Sequence, residues 1–379
     1  MERVVFGKPA AQAVSDEAAR LDAQRVFLLV SGTLNRETDV VAGIRDALGA
    51  RYAGEFQGIP PHTPRDAVVR AAAAARALDA DLIVTVGGGS VTDAGKVIQI
   101  CLRHDVTDPA QLDNYRIAFK ADGTPSAPVY EGPTVRQVSV PTTLSGGEFY
   151  PLAGCTDPLR KVKEGYRHDL LIPRAVILDA RITVHTPQWL WLSTGIRALD
   201  HAVEALCSPQ ANDFCDGAAL QALRLLGQGL PRSKADPADI AARQQCQIGV
   251  WNSMVPIQGG IPMGASHAIG HILGGTCDVP HGYTSCVMLP HVLRYNRGVN
   301  GERQALVAAA LGQPGREAAE VVGEFIAGLG MPRTLAEVNV PREQFALIAR
   351  NAMHDRWLHT NPRKINGPQD VLEILEMAA

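Results

Sequence analysis

The residues best suited to chemistry in this 379-residue chain are four histidines. His267 and His271 stand four apart in MGASHAIGH, a spacing that puts both imidazoles on one face of a helix. His281 follows in CDVPHGYTS, where Pro280 and Gly282 predict a turn that swings it back over the same helix end. His201 comes from a separate helical stretch, STGIRALDHAVEAL. Any one of them alone reads as an ordinary helix or surface histidine; four so spaced can converge on one reaction centre.

The elements that must position them divide the chain in two. The first half alternates strand and helix: Arg25–Val30 and Asp81–Val86 are short apolar runs typical of buried strands, Glu37–Gly49 is amphipathic, and Asp66–Ala80 is an alanine-rich helix. Further strands are expected at Gln137–Val140 and Ala175–Leu178, with a hairpin around Asp157-Pro158 between Phe149 and Tyr166. The pattern is βαβ. After Thr186-Pro187 helical periodicity takes over, through Gln188–Cys207, Phe214–Leu225, Ala238–Val255, Ser266–Leu273, Gly282–Tyr295, Arg303–Leu311 and Arg316–Leu329. These signals predict an α/β dinucleotide-binding domain over residues 1–183, an all-α substrate domain over 184–379, and an active site in the cleft between them.

Gly87-Gly88-Gly89-Ser90 directly follows the strand Asp81–Val86 and precedes a helical stretch, the place where an open α/β sheet binds phosphates. Glycines let backbone N–H groups approach a pyrophosphate, and the positive end of the next helix favours its charge. Asp93 and Lys96, just downstream, and the PTT segment strengthen this reading over plain chain reversal. Thr142, Thr143 and Ser145 have hydroxyls suited to ribose or phosphate, or to capping a strand end. No acidic residue follows Arg25–Val30; the chain reads Ser31-Gly32-Thr33-Leu34-Asn35-Arg36, so either NADH or NADPH is admitted.

Composition excludes several other classes. A net charge of −3 and the lack of a basic run interleaved with aromatics give no reason to expect nucleic acid. Apolar residues at 46% and charged ones at 20% match ordinary globular usage. No secretory pattern opens the chain and no segment reaches the roughly 18 apolar residues of a membrane span, so a cytoplasmic location is expected. Seven scattered cysteines form neither a zinc-type spacing nor a disulfide framework. The tryptophans at 189, 191, 251 and 357 read as helix packing, and Asp355, His354 and His359 as structural.

Along nearly its whole length the chain resembles the iron-containing, group III alcohol dehydrogenase family. GGGSVTDAGK at 87–96 is similar to that family's pyrophosphate loop, PTTLSGGE at 141–148 to its second cofactor turn, and HAVEAL, GASHAIGH and PHG to its metal segment. The resemblance implies the dehydroquinate-synthase-like fold of iron-type alcohol dehydrogenases, NAD(P)H as cofactor, a lysine at Lys161 or Lys163 near the nicotinamide ribose, and a homodimer. It also implies hydride transfer between the nicotinamide and a small carbonyl or alcohol. In metal-dependent members an aspartate stands four residues before the first histidine ligand. Here that place holds Arg197, which has no lone pair to offer a metal. His201, His267 and His281 remain as ligands should Fe2+ or Zn2+ bind, with water filling the open position.

The arginine tilts the resemblance toward the maleylacetate-reductase-like branch, whose members are understood to work without metal. Arg197 with His201 or His267 is then expected to stabilise the developing oxyanion, and His271 or His281 to donate the proton. A guanidinium fork suits a carboxylate, so an anionic keto acid is expected as substrate. A structural ion pair of Arg197 with Glu204 or Asp200 is the competing account; Glu204, three residues after His201, can approach the same face or serve a structural role with Arg197 or a backbone group. Asp200 itself is turned about 100° from His201 on a helix, which argues against its serving as a ligand. The alternatives are a metal-dependent alcohol dehydrogenase or aldehyde reductase, a phosphate-eliminating enzyme of the same plan, and a non-catalytic NAD-binding protein.

Overall fold

The computed structural model describes residues 1–119, 125–160 and 162–379; Lys161, one of the two lysine candidates, lies outside the described residues. The chain forms two compact units, Met1–Thr143 with Gly147–Thr186, and Leu144–Gly146 with Pro187–Ala379.

The first unit runs β1 (Arg3–Phe6), α1 (Ala10–Arg20), β2 (Val26–Val30), α2 (Gly32–Glu37), α3 (Val40–Leu48), β3 (Tyr52–Gln57), α4 (Arg65–Ala77), β4 (Leu82–Gly87) and α5 (Gly89–Arg103). Then come β5 (Ala118–Phe119), β6 (Pro125–Ser126), β7 (Arg136–Pro141), β8 (Leu152–Asp157), β9 (Val162–Arg167) and β10 (Ala175–Leu178). Six strands form a parallel sheet in the order β1-β10-β7-β4-β2-β3. β2 and β4 are buried along their whole length, which is why VFLLV and LIVTVG read as unbroken apolar runs instead of alternating ones. Leu28 and Val84 pack with α1 and α3, whereas Leu29 and Ile83 pack with α4 and α5. The sheet is thus covered on both faces, as the βαβ reading requires.

Two parallel registers decide where a ligand can sit. Val30 pairs with Val86, and Gly87 pairs with Pro141, so Ser31, Gly87 and Thr142 end neighbouring strands at the sheet's carboxyl edge. Ser31 N–H donates to Val86 O at 2.9 Å and Thr142 N–H to Gly87 O at 2.9 Å. The expected hairpin is β8–β9, turned where the Asp157 carboxylate accepts from Leu159 and Arg160 N–H. The acidic trio Asp113, Asp157 and Glu164 beside it is matched by Arg65, Arg116 and Arg160, which makes it a structural ion network. β1, α1, α2 and β3 are not among the elements expected from the sequence.

The second unit has α6 (Gln188–Cys207), α7 (Asp213–Ala235), α8 (Ile240–Gln258), α9 (Ala265–Cys277), α10 (His281–Ala310), α11 (Ala318–Gly328), α12 (Phe345–Ala352) and α13 (Pro368–Met377), and no strand among the described residues. The stretches expected at Gly282–Tyr295 and Arg303–Leu311 are joined as α10, interrupted at Asn300 with φ −141°. Every residue of α6 from Trp191 to Cys207 is buried. A helix surrounded on all sides has no solvent face, so its polar residues must find partners inside the unit.

Candidate active site

That constraint falls on four residues of α6: Arg197, Asp200, His201 and Glu204, all buried. At spacings of three and four they share one side of the helix, turned toward α9 and α10. The PHG glycine permits this approach, because a Cβ at Gly282 would lie 2.6 Å from the Ser193 backbone.

Glu204 organises the start of α9. Its carboxylate accepts from Gly264 N–H at 2.9 Å, Ser266 N–H at 2.8 Å and His267 N–H at 3.4 Å, taking up donors that a helix start leaves unpaired. It also lies 2.8 Å from His267 Nδ1. Asp200 accepts from Ser266 Oγ at 2.8 Å and Ser285 Oγ at 2.6 Å, and its Oδ2 lies 3.4 Å from His267 Nδ1. The expectation that Asp200 faces away is therefore corrected: the helix turn of about 100° is real, but α9 packs over both directions. Arg197 Nη1 donates to Ser285 Oγ at 3.0 Å, so arginine and aspartate are linked through a shared serine.

The histidines fall into two pairs. His201 and His267 rings stack with centroids 4.7 Å apart, both buried. Burial, reinforced by the Arg197 charge, holds both well below the ordinary imidazole range, so both are neutral. His271 and His281 stack at 5.9 Å and 8°, with His281 opening α10 directly after Pro280. The predicted return of His281 over the α9 segment is realised, although it is a helix start and not a loop residue. His271 Nδ1 lies 2.8 Å from Asp355 Oδ2, and Trp357 packs against both His267 and His271. Asp355 and Trp357, read from sequence as structural, belong to this cluster; only their closeness to each other in the chain hinted at it.

Burial raises the carboxyls of Asp200 to about 6 and Glu204 to about 8, against Arg197 in the first case and three backbone donors in the second. It lowers Arg197, partly offset by Asp200, Glu204 and Asp355. A guanidinium nonetheless stays protonated. Four buried polar atoms in this neighbourhood have no protein partner: Arg197 Nε, Asp200 Oδ1, His201 Nδ1 and His267 Nε2.

Does this cluster fit a divalent ion? Among the described residues, the set here whose ligand atoms lie within 4.8 Å of one another is Asp200, Glu204 and His267, not His201, His267 and His281. Three of its four carboxylate oxygens are already engaged by serine hydroxyls and backbone N–H groups, and the Arg197 charge stands beside it. An added dication would stand beside a fixed cation, with Asp200 Oδ1 as the one carboxylate oxygen of the set still without a partner.

The glycine turn forms a separate site in the first unit. Gly88 is the N-cap of α5, with no side-chain cap, and a Cβ there would lie 3.1 Å from Thr143 Cγ2. This leaves a bare helix start where a pyrophosphate can approach the backbone, so the turn from Gly87 through Gly88 and Gly89 to Ser90 fits a dinucleotide. Asp93 accepts from Gly154 N–H at 3.1 Å, and Lys96 donates to the carbonyls of Gly147, Tyr150 and Leu152 at 2.6–2.8 Å. Lys96 is fully buried and structural. Thr142 and Thr143 stand at the strand end, whereas Ser145 belongs to the second unit, where Leu144 N–H donates to Thr194 Oγ1. Lys163 is exposed on β9 and lies over Gly154. Arg36 folds back over Gly32, where a Cβ would meet its Nη1 at 2.8 Å.

A dinucleotide-type turn on a doubly wound sheet and a buried arginine–imidazole cluster in a helical unit together describe a nicotinamide-dependent oxidoreductase. Comparison with known proteins gives its kind. Residues 2–180 match the family model described as iron-containing alcohol dehydrogenase, and residues 191–379 match the C-terminal model of the Fe-containing alcohol dehydrogenase family. Dehydrogenase FUM7 of Gibberella moniliformis is 32% identical over 99% of this chain and 96% of its own length. Maleylacetate reductase of Burkholderia cepacia is 31% identical over 98% of this chain and 94% of its own. The crystal structure of maleylacetate reductase from Agrobacterium tumefaciens superposes with a TM-score of 0.82 at 30% identity, covering 100% of this chain and 95% of that one. The chain belongs to the iron-containing alcohol dehydrogenase family. No helix among the described residues is long and apolar enough to cross a membrane.

Proposed function

We propose that this protein is a maleylacetate-reductase-like, NAD(P)H-dependent reductase of an anionic keto acid that works without a metal. The observation that carries the proposal is the set of unpartnered buried atoms around Arg197. Leaving a buried donor unsatisfied costs roughly 1–3 kcal/mol, more for a charged one, and a bound oxyacid would accept from Arg197 Nε. A bound nicotinamide supplies hydride; whether hydride adds to a carbonyl or to a double bond conjugated with it, negative charge gathers on the carbonyl oxygen. Arg197 and the neutral His201 are disposed to hold that oxygen or a substrate carboxylate, with His267 packed behind His201 and its Nδ1 engaged by Glu204. His271 or His281 then returns a proton. Ser31, Gly87, Gly88, Gly89, Ser90, Thr142 and Thr143 are proposed to hold the cofactor, with Asp93 and Lys163 along its nicotinamide half.

One observation favours the metal-dependent reading, namely the closeness of Asp200, Glu204 and His267. Metal analysis, with NADH and NADPH oxidation assayed against keto acids and neutral aldehydes before and after exhaustive chelation, separates the two. Keto acids should turn over faster than aldehydes, and chelation should change nothing. Activity lost on chelation and restored only by iron or zinc sinks the metal-free proposal. No oxidation with any carbonyl points instead to a non-catalytic NAD-binding protein.

A further inference from the structure

His271 differs from its neighbours in being held by a carboxylate that has little else to do. Asp355 precedes a short 3-10 turn, Arg356–Thr360, and caps it: Oδ1 accepts from Trp357 N–H at 2.9 Å. That bond fixes the carboxyl plane and leaves Oδ2 for His271 Nδ1, at 2.8 Å. The side chain of Asp355 is 15% exposed and that of His271 35%, so the pair is shielded on the carboxylate side and open on the imidazole side. Trp357 at 5.1 Å and His281 at 5.9 Å confine the ring.

A carboxylate on Nδ1 selects one neutral imidazole tautomer, with the proton on Nδ1 and the lone pair on Nε2. Building on the proposed function, we infer that Asp355 is the positioning residue for the proton donor: it fixes His271 so that Nε2 exchanges the proton with the substrate oxygen. During reduction the substrate carbon gains hydride, the carbonyl π electrons pass to oxygen, and the new O–H bond forms as the Nε2–H bond of imidazolium His271 breaks. His271 is left neutral with its proton on Nδ1, Asp355 stays ionised, and water restores the Nε2 proton through the open side of the ring. Asp355 acts through the histidine and touches no substrate. This choice singles out His271 over His281 as the donor.

The test uses the intact protein with 15N-labelled histidine, a His271→Gln sample assigning the resonance. In the wild type, neutral His271 should be the Nδ1–H tautomer. Asp355→Asn keeps an acceptor for Trp357 N–H but can offer its amide N–H to Nδ1. It should move His271 to the Nε2–H tautomer and lower kcat on the order of 10²-fold, with cofactor binding and KM within about threefold. Asp355→Glu should restore much of the rate. An Nε2–H tautomer in the wild type overturns the inference, and that result needs no variant to fold. So does an Asp355→Asn enzyme with wild-type kcat, or one whose loss lies in KM alone. Failure of the underlying function reads differently: the wild type itself then oxidises no NADH or NADPH with keto acids, while the tautomer experiment still reports.

Discussion

The glycine turn and the arginine–histidine cluster represent two ways of building a site. At Gly87–Ser90 the working groups are backbone N–H donors, and the sequence contributes mainly by leaving side chains out: a Cβ on Gly88 would crowd the Thr143 methyl at 3.1 Å. Around Arg197 the working groups are side chains from three distant segments, 197–204, 264–285 and 355–357, each held by another's hydrogen bonds. The first site depends on shape and tolerates change poorly only where bulk is added. The second depends on charge and on a closed set of partners.

Removing the central charge should give the largest effect. Arg197→Ala should lower kcat/KM by about 10²-fold or more while the Kd for NADH, measured by fluorescence titration, stays near normal. A wild-type rate would show that the guanidinium is only a partner of Asp200 through Ser285, and the comparison would lose its second half. Adding a methyl to the turn should act on the other side alone. Gly88→Ala keeps an extended backbone, φ −81° and ψ −172°, so the fold should survive. The KM for cofactor should rise by about tenfold with kcat for saturating cofactor little changed. A matching loss in kcat would mean that the two sites are not separable in this way.

The contrast also explains what the sequence could disclose. The turn was legible because a strand, three glycines and a helix start are contiguous, and local periodicity sets them at a sheet edge. The placing of His267 and His271 on one helix, and the return of His281, followed from spacing in the same way. Glu204 was expected on the face of His201 with a backbone group as a partner, and it accepts from three backbone N–H groups; Asp200 and Asp355 were not legible in their roles. Whether a carboxylate on α6 faces α9 depends on helix rotation and packing, and α6 is buried all round, so its pattern gives no inside or outside. Asp355 lies 84 residues from His271, and nothing local marks their contact. Lys96 errs in the opposite direction, since its place in the cofactor motif suggests a ligand where three carbonyls make it a structural pin.

A pH experiment sharpens the difference between neutral and charged members of the cluster. Buried His201 has its value pushed well below the ordinary 6.5, so below pH 6.5 the unfolded chain takes up a proton that the folded one refuses. The unfolded state binds more protons there, and stability must fall as pH drops, by up to about 1.4 kcal/mol per pH unit for one such group. The raised carboxyls of Asp200 and Glu204 act in the reverse sense, so the total slope is a mixture. The difference between wild type and His201→Gln in urea titrations isolates the histidine: the variant should gain relative stability as pH falls from 6.5 to 5. Parallel curves would mean that His201 takes up its proton equally in the folded and unfolded chain, and that burial does not hold it neutral.

The smallest expected effect lies at the far end of the cofactor. β2 ends without an acidic residue, and Arg36 lies folded over Gly32 beyond it, in the region where an adenosine ribose meets a sheet of this kind. A 2′-phosphate there would gain a charged partner that a 2′-hydroxyl cannot use. Arg36→Ala should therefore raise the KM for NADPH by roughly fivefold and leave that for NADH nearly unchanged, with the NADPH effect shrinking at high salt. Asn35 anchors the same short helix to Glu55 and Gln57 at 2.8 and 3.1 Å, so the loss should not spread to the fold. If both cofactors weaken equally, Arg36 shapes the loop rather than reading the phosphate, and the turn site answers to backbone shape alone.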